Sequence, residues 1–185
     1  MARLGMIGGL MALGAGAAVA GCATAQEAPA SAGGRYMAGH FHARAVLHTA
    51  DGADAGTALV EEVPGGLKVT VTAKGLPTGI HGVHIHTTGK CDAPGFTTAG
   101  GHWNPAGKQH GMQNPMGAHA GDLPNLEVAA DGTATLSFTE TGATYEALLD
   151  EDGAALVVHA GADDLKTDPS GNSGARIACG VFEAL

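Results

Sequence analysis

Between residues 67 and 74, Leu67, Val69, Val71 and Ala73 alternate with Lys68, Thr70, Thr72 and Lys74. This period of two predicts a strand with one buried face. Residues 57–63 run into Pro64, Gly65 and Gly66, a turn cluster that predicts a hairpin with that strand. Leu126 and Val128 lead through Asp131 and Gly132 to Leu136 and Phe138, which alternate with Thr135, Ser137 and Thr139 and predict a second hairpin. The runs 36–47, 80–86, 155–159 and 176–182 complete a set of eight short strands, and 145–149 is the one helical turn expected. The expected fold is therefore all-β, an eight-stranded Greek-key barrel or sandwich, because either architecture buries one face of each strand and manages the sheet edges. Two irregular stretches, 87–124 and 161–175, break this meter as long functional loops do.

The pattern is different at the start of the chain. Arg3 is the only charge before Glu27, and residues 4–20 are apolar or glycine, as in a secretory signal. Six glycines from Gly5 to Gly21 interrupt the stretch and small residues follow it, which argues against a permanent membrane span. Val19, Ala20, Gly21 and Cys22 resemble a bacterial lipobox, in which Cys22 becomes the lipid-modified first residue; ordinary cleavage after Ala23, Thr24 and Ala25 also satisfies the small-x-small rule. The expected division is a signal peptide at 1–21, a flexible Ala/Ser/Pro/Gly tether at 22–34 and one domain at 35–185. Export to a periplasm or cell envelope follows, with a membrane contact only through an N-terminal lipid. Once Cys22 is set aside, Cys91 and Cys179 form an even pair in an oxidising compartment, where a disulfide is the default.

Nine basic against eighteen acidic residues, a net charge of −9, give the wrong sign for gripping a phosphate backbone, and aromatics at 4% provide no stacking platform. Nucleic acid is excluded as a partner. Ten histidines beside three cysteines point instead to imidazole chemistry. His84 and His86 stand two apart in an expected strand, so their rings share a face and can serve one metal; His81 has the opposite parity and reads as a hydrogen-bonded core or supporting residue. His102, His110, His119 and Asp122 follow in a Gly/Pro-rich loop, three nitrogens and an oxygen that suit a closed tetrahedral zinc site. His159 adds an imidazole at a strand end.

These residues carry a resemblance to the copper/zinc superoxide dismutases. GIHGVHIH at 79–86 resembles the family's first copper-ligand segment, and GGHWNP at 100–105 resembles the segment with the bridging histidine. HAGDLPN at 119–125 resembles the end of the zinc loop, 157–165 the strand bearing the last copper ligand, and GARIACG at 174–180 the segment with the active-site arginine and a disulfide cysteine. The resemblance spans roughly residues 36 to 185 in order. It implies one copper and one zinc per subunit. Copper would be held by His84, His86, His102 and His159, zinc by His102, His110, His119 and Asp122, so that His102 bridges the ions. It further implies a supporting carboxylate at Asp163, a Cys91–Cys179 disulfide, Arg176 beside the copper, superoxide as substrate and room for a homodimer.

Some features depart from that pattern or stand outside it. From Cys22 onward eight basic residues face eighteen acidic ones, and between Asp163 and Arg176 the only cation is Lys166, so long-range guidance of an anion looks reduced. His40 and His42 could capture metal but read more simply as exposed strand residues. His48 has no evident partner, Met112 and Met116 read as packing residues, and Trp103 reads as the base of a loop. Two competing functions are an exported metal-delivery protein, which needs neither Arg176 nor a bridging histidine, and a zinc hydrolase, which needs an open zinc position.

Overall fold

A computed structural model of the protein describes residues 42–185. The leader, Cys22, the tether, His40 and the first part of the expected opening strand, 36–41, lie outside the described residues. Among the described residues there are nine strands: β1 (His42–Thr49), β2 (Asp54–Val63), β3 (Gly66–Ala73), β4 (Gly79–His81), β5 (Val83–His86), β6 (Leu126–Val128), β7 (Ala134–Thr141), β8 (Ala155–His159) and β9 (Arg176–Ala184). One short helix, α1 (Tyr145–Leu148), is capped by the Thr144 hydroxyl, which accepts from the Ala147 N–H. Seven strands form one curled antiparallel sheet in the order β5-β8-β9-β1-β2-β3-β7, and β4 pairs with β6 in a second. The all-β expectation holds.

Alternation builds the core. In β1, Ala43, Ala45 and Leu47 are buried while Arg44, Val46 and His48 face out. The hairpin read at Pro64–Gly66 forms with Val63 opposite Gly66, and its register sets Val60 against Val69 and Ala58 against Val71. These meet Leu67, Ile85, Leu123, Leu126, Leu148 and Leu156 in a single cluster, where each large side chain contributes about 2 kcal/mol by leaving water. Trp103 joins the same cluster from the loop after β5, so the loop base is packed as expected.

Two sequence expectations change. The run 80–86 is not one strand, because Gly82 separates β4 from β5: its N–H donates to Gly161 O and its carbonyl accepts from His159 N–H. A Cβ at Gly82 would lie 2.8 Å from the Ser173 Cβ, so only glycine lets the two chains come this close. The run 126–138 is not a ladder either. A turn forms, with Ala129 N–H donating to Thr133 O, but β6 pairs with β4 and β7 with β3, so the chain crosses between sheets at Gly132. Alternation in each half records burial and carries no information on which neighbour supplies the ladder.

β7 lies at one end of the seven-stranded sheet, and Glu140 on it has the inward parity of Leu136 and Phe138. A charge pointing inward from an edge strand disfavours pairing with another chain. It has a cost here: burial, reinforced by Asp122 and only partly countered by Lys108, raises the Glu140 carboxyl to about 7. Because the folded pKa lies above the unfolded one, this group's contribution is fully present below pH 4.5 and is lost as pH rises through about 7. Glu140→Gln should therefore match the parent near pH 4.5 and exceed it by about 1 kcal/mol at pH 8, read from urea midpoints at both pH values. An equal difference at the two pH values would contradict this.

Candidate metal centre

β5 lies at the other end of the large sheet, and its free edge is covered by the loop that follows it. Ile85 N–H donates to Gly121 O at 2.9 Å, Trp103 N–H donates to Ile85 O at 2.8 Å, and Gly121 N–H donates to Trp103 O at 2.8 Å. This places Asp122 opposite His84 and His102 opposite His86. On the other edge of β5, β8 pairs through His84↔Val157 and carries His159 at its end. Every side chain of β5 is buried: Val83 and Ile85 enter the core, while His84 and His86 share the other face. The nine sequence-derived site residues of the domain other than the two disulfide cysteines lie around this face or within one residue contact of it.

Four of the histidines present one nitrogen each to a common point. His84 Nδ1, His86 Nε2, His102 Nε2 and His159 Nε2 are buried and have no hydrogen-bond partner, and the four residues form a group whose ligand atoms lie within 4.8 Å of one another. The opposite nitrogens are all held by oxygens: His84 Nε2 by Asp163 at 2.8 Å, His86 Nδ1 by Gly100 O at 3.0 Å, His159 Nδ1 by Gly174 O at 3.2 Å and His102 Nδ1 by Asp122 at 2.9 Å. An imidazole that donates from one nitrogen turns a lone pair outward from the other. Four buried lone pairs aimed together are unfavourable unless a cation joins them. The donor set therefore fits a bound metal of the kind imidazoles suit, copper among them. Burial also holds the His86 and His159 rings neutral, the form that binds metal, pushing His86 down to about 2 and His159 to about 3.

A second group adjoins the first through His102. Asp122 Oδ1 lies 2.9 Å from His102 Nδ1, 2.9 Å from His110 Nδ1 and 3.2 Å from His119 Nδ1, and His119 Nδ1 is 3.4 Å from His102 Nδ1. Three nitrogens and an oxygen converge in the number and type that zinc takes. His102 thus turns one nitrogen to each group. Asp122 Oδ2 is fixed by the N–H groups of Gly111 and His119. Burial works against a charge on His110, yet Asp122 and Asp163 outweigh it and raise the ring to about 9; burial likewise opposes the Asp122 carboxylate, but bonds from His102, His110 and Gly111 hold it far below the usual range.

Asp163 ties the groups together from behind, with Oδ2 on His84 Nε2 at 2.8 Å and Oδ1 on His110 Nε2 at 3.0 Å. Asn125 clamps its backbone on both sides at 2.8 Å. Gly171, with φ +61°, packs beneath it, where a Cβ would fall 1.7 Å from Asp163 Oδ1. Arg176 NH1 donates to Phe96 O and NH2 to Gly100 O, both at 2.6 Å. Gly100 O therefore accepts from both Arg176 and His86. Cys91 and Cys179 are bonded, with Cα atoms 5.7 Å apart, and this fastens the segment bearing Phe96 and Gly100 to β9. A cavity of about 410 Å³ opens onto His86, His102, His159 and Arg176.

The family model described as copper/zinc superoxide dismutase matches residues 54–182. The chain belongs to that family. It is 44% identical over 148 residues to Superoxide dismutase [Cu-Zn] of Caulobacter vibrioides, covering 76% of this chain and 85% of that one. It is 43% identical over 146 residues to Superoxide dismutase [Cu-Zn] 2 of Aquifex aeolicus, again 76% and 85%. Among solved structures it is similar to a SOD-like protein from Bacillus subtilis, with TM-score 0.71, 42% identity and coverage of 75% and 96%. It is also similar to the Cu/Zn superoxide dismutase of Brucella abortus, with TM-score 0.64, 33% identity and coverage of 77% and 99%.

For a superoxide dismutase of this family, sequence reasoning missed the Asn125 clamp, the Phe96 and Gly100 carbonyls and Gly171. Asn125 lay in the quoted HAGDLPN run, but nothing in that run signals a partner 38 residues on. Backbone carbonyls leave no mark in sequence at all. His81 is buried at the rear, each ring nitrogen 2.8 Å from a carbonyl, those of His159 and Pro77. Met112 and Met116 are exposed, at 41% and 66%, and so do not pack. His42 lies 3.8 Å from Glu61 and His48 is exposed beside β9, both away from the centre.

In the metal-free chain His86, His102 and His159 have folded pKa values of about 2, 4 and 3 against an ordinary 6.5. Below pH 6.5 the unfolded chain takes up protons that the folded chain refuses, so their contribution to stability is complete above pH 6.5 and falls as pH drops toward 4. His110 acts oppositely, fully stabilising below 6.5 and losing effect through about 9, so it leaves the acid window unchanged. Glu140 gains across the same window, one group against three, so the urea midpoint of metal-free protein should still fall from pH 6.5 to 4.5, whereas a flat profile would mean these three rings are not held neutral.

Proposed function

We propose that the first group holds copper and the second zinc, with His102 shared, and that the chain dismutates superoxide. The observation that carries this reading is the set of four partnerless nitrogens brought together beside a cavity that three of those histidines line with Arg176. When bound, copper supplies one-electron cycling, by which one superoxide is oxidised to dioxygen and a second is reduced to hydrogen peroxide, while zinc supplies a fixed charge.

The chain supplies the rest. Arg176 is braced by two carbonyls before any ligand arrives, so its guanidinium can meet a small anion without reorganising. His102, with Nδ1 against Asp122, can hold and yield a proton at its buried, partnerless Nε2. Asp163 fixes the tilt of His84 and His110 together. A hydrolytic reading is weaker, because three histidines and Asp122 already fill four positions of the zinc group. A delivery protein would not require the bracing of Arg176.

The same reading places the mature chain outside the cytoplasm, lipid-anchored through Cys22 and homodimeric. The disulfide supports export, and the exposed apolar Val46 and Leu185 support a subunit contact. A mature N-terminus beginning at an unmodified Gln26 would remove the anchor, and sedimentation as a single species of monomer mass would remove the dimer.

Superoxide decay should be catalysed by copper-loaded protein and not by copper-free protein, and His102→Ala should lose at least about tenfold in rate. Equal rates for all three would refute the mechanism, and none in the copper-loaded form would favour metal delivery.

A further inference from the structure

Asp168 lies in the loop 161–175, half-exposed at 50%, with no role in either group of metal-binding side chains. Its Oδ1 nevertheless accepts the backbone N–H of His110 at 2.6 Å. The same oxygen lies 3.9 Å from His119 Nε2, the ring nitrogen that points away from Asp122. One carboxylate oxygen from a different loop thus faces two members of the second group, at the main chain of one and the outer ring nitrogen of the other.

The surroundings make this more than a surface ion pair. A bond from a main-chain N–H to an ionised carboxylate is among the stronger kinds, and this one bridges residues 58 apart in sequence. The turn that presents Asp168 is closed by Gly171 N–H to Thr167 O at 2.7 Å and ends at Gly171, which packs beneath Asp163. His110 is therefore gripped twice by the loop 161–175: at its ring by Asp163 and at its backbone by Asp168. The outer nitrogen of His110 is bonded to Asp163 at 3.0 Å, as the general rule for ligating imidazoles asks, and that of His119 has the Asp168 carboxylate at 3.9 Å, an electrostatic contact longer than a hydrogen bond.

We infer that Asp168 is a positioning residue for the zinc group, a latch that holds His110 and His119 in register and slows zinc escape. The inference rests on the reading of His102, His110, His119 and Asp122 as the zinc ligands. Asn at this position keeps an acceptor for the His110 N–H, whereas Ala keeps neither the acceptor nor the charge.

The test uses the full mature chain loaded with zinc, as wild type, Asp168→Ala and Asp168→Asn, with release followed by a chromogenic chelator. Cobalt(II) substituted for zinc reports ligand geometry through its visible bands, and melting of the metal-free chains reports general loop damage. Asp168→Ala should release zinc about tenfold faster and shift the cobalt bands, while Asp168→Asn, which keeps the acceptor, recovers most of the retention and leaves metal-free melting unchanged. Release within twofold of wild type for Asp168→Ala would overturn the latch. So would an equal loss in both variants accompanied by a matching drop in metal-free melting temperature, since that describes a loop staple with no hold on the metal. Wild-type protein that takes up neither zinc nor cobalt would sink the reading of the centre along with the inference.

Discussion

The structure depends on an arrangement that is unfavourable by itself: imidazole lone pairs turned toward one another where water cannot reach. Desolvating one such nitrogen without a partner costs on the order of 1 to 3 kcal/mol, and four are assembled here. Such a cluster persists because everything around it is over-determined. Each ring has its far nitrogen tied to an oxygen, two rings sit on a strand whose other face is core, His159 ends the neighbouring strand β8, and His102 hangs from a loop pinned at several points. A fold that spends stability in this way recovers it when a cation arrives, so metal binding and folding draw on one free energy.

Two loops and a disulfide provide that rigidity through shared atoms. Gly100 O serves both His86 and Arg176, so the group that aims one ring also aims the cation beside it. The segment carrying this carbonyl is fastened by Cys91–Cys179 and packed by Phe96 and Ala99 against Ala155 and Val157 of the sheet's outer face. In the chain-entropy account, closing a loop across 88 residues restricts the unfolded chain by about 4 to 5 kcal/mol. The geometric result matters equally: Arg176 begins β9 three residues before Cys179, so the same short stretch anchors the covalent link and the guanidinium.

How far the fold and centre could be read from sequence divides along physical lines. Strands with one buried face announce themselves by alternation, and β3 and β7 were legible for that reason. Partner choice was not, since β6 and β7 alternate like a hairpin yet join different sheets. The break at Gly82 was hidden because glycine in a strand marks a close approach without naming what approaches, here the Ser173 side chain and the Gly161 carbonyl. In the centre, His84, His86, His102, His110, His119, Asp122 and His159 could be picked out because metal chemistry restricts residue type and spacing. Asn125 and the Gly100 carbonyl could not, since their partners are distant in sequence and their residue types are common in loops.

One consequence follows from the way β5 is covered. Its outer rim is satisfied by the main chain at Gly121 and Trp103, the same segments that seat Asp122 and His102. Where that covering lifts, Ile85 presents an unused donor and acceptor on an apolar strand, a ready template for a strand from a neighbouring molecule. Keeping the ions and staying clear of self-association are, in this protein, the work of a single stretch of backbone.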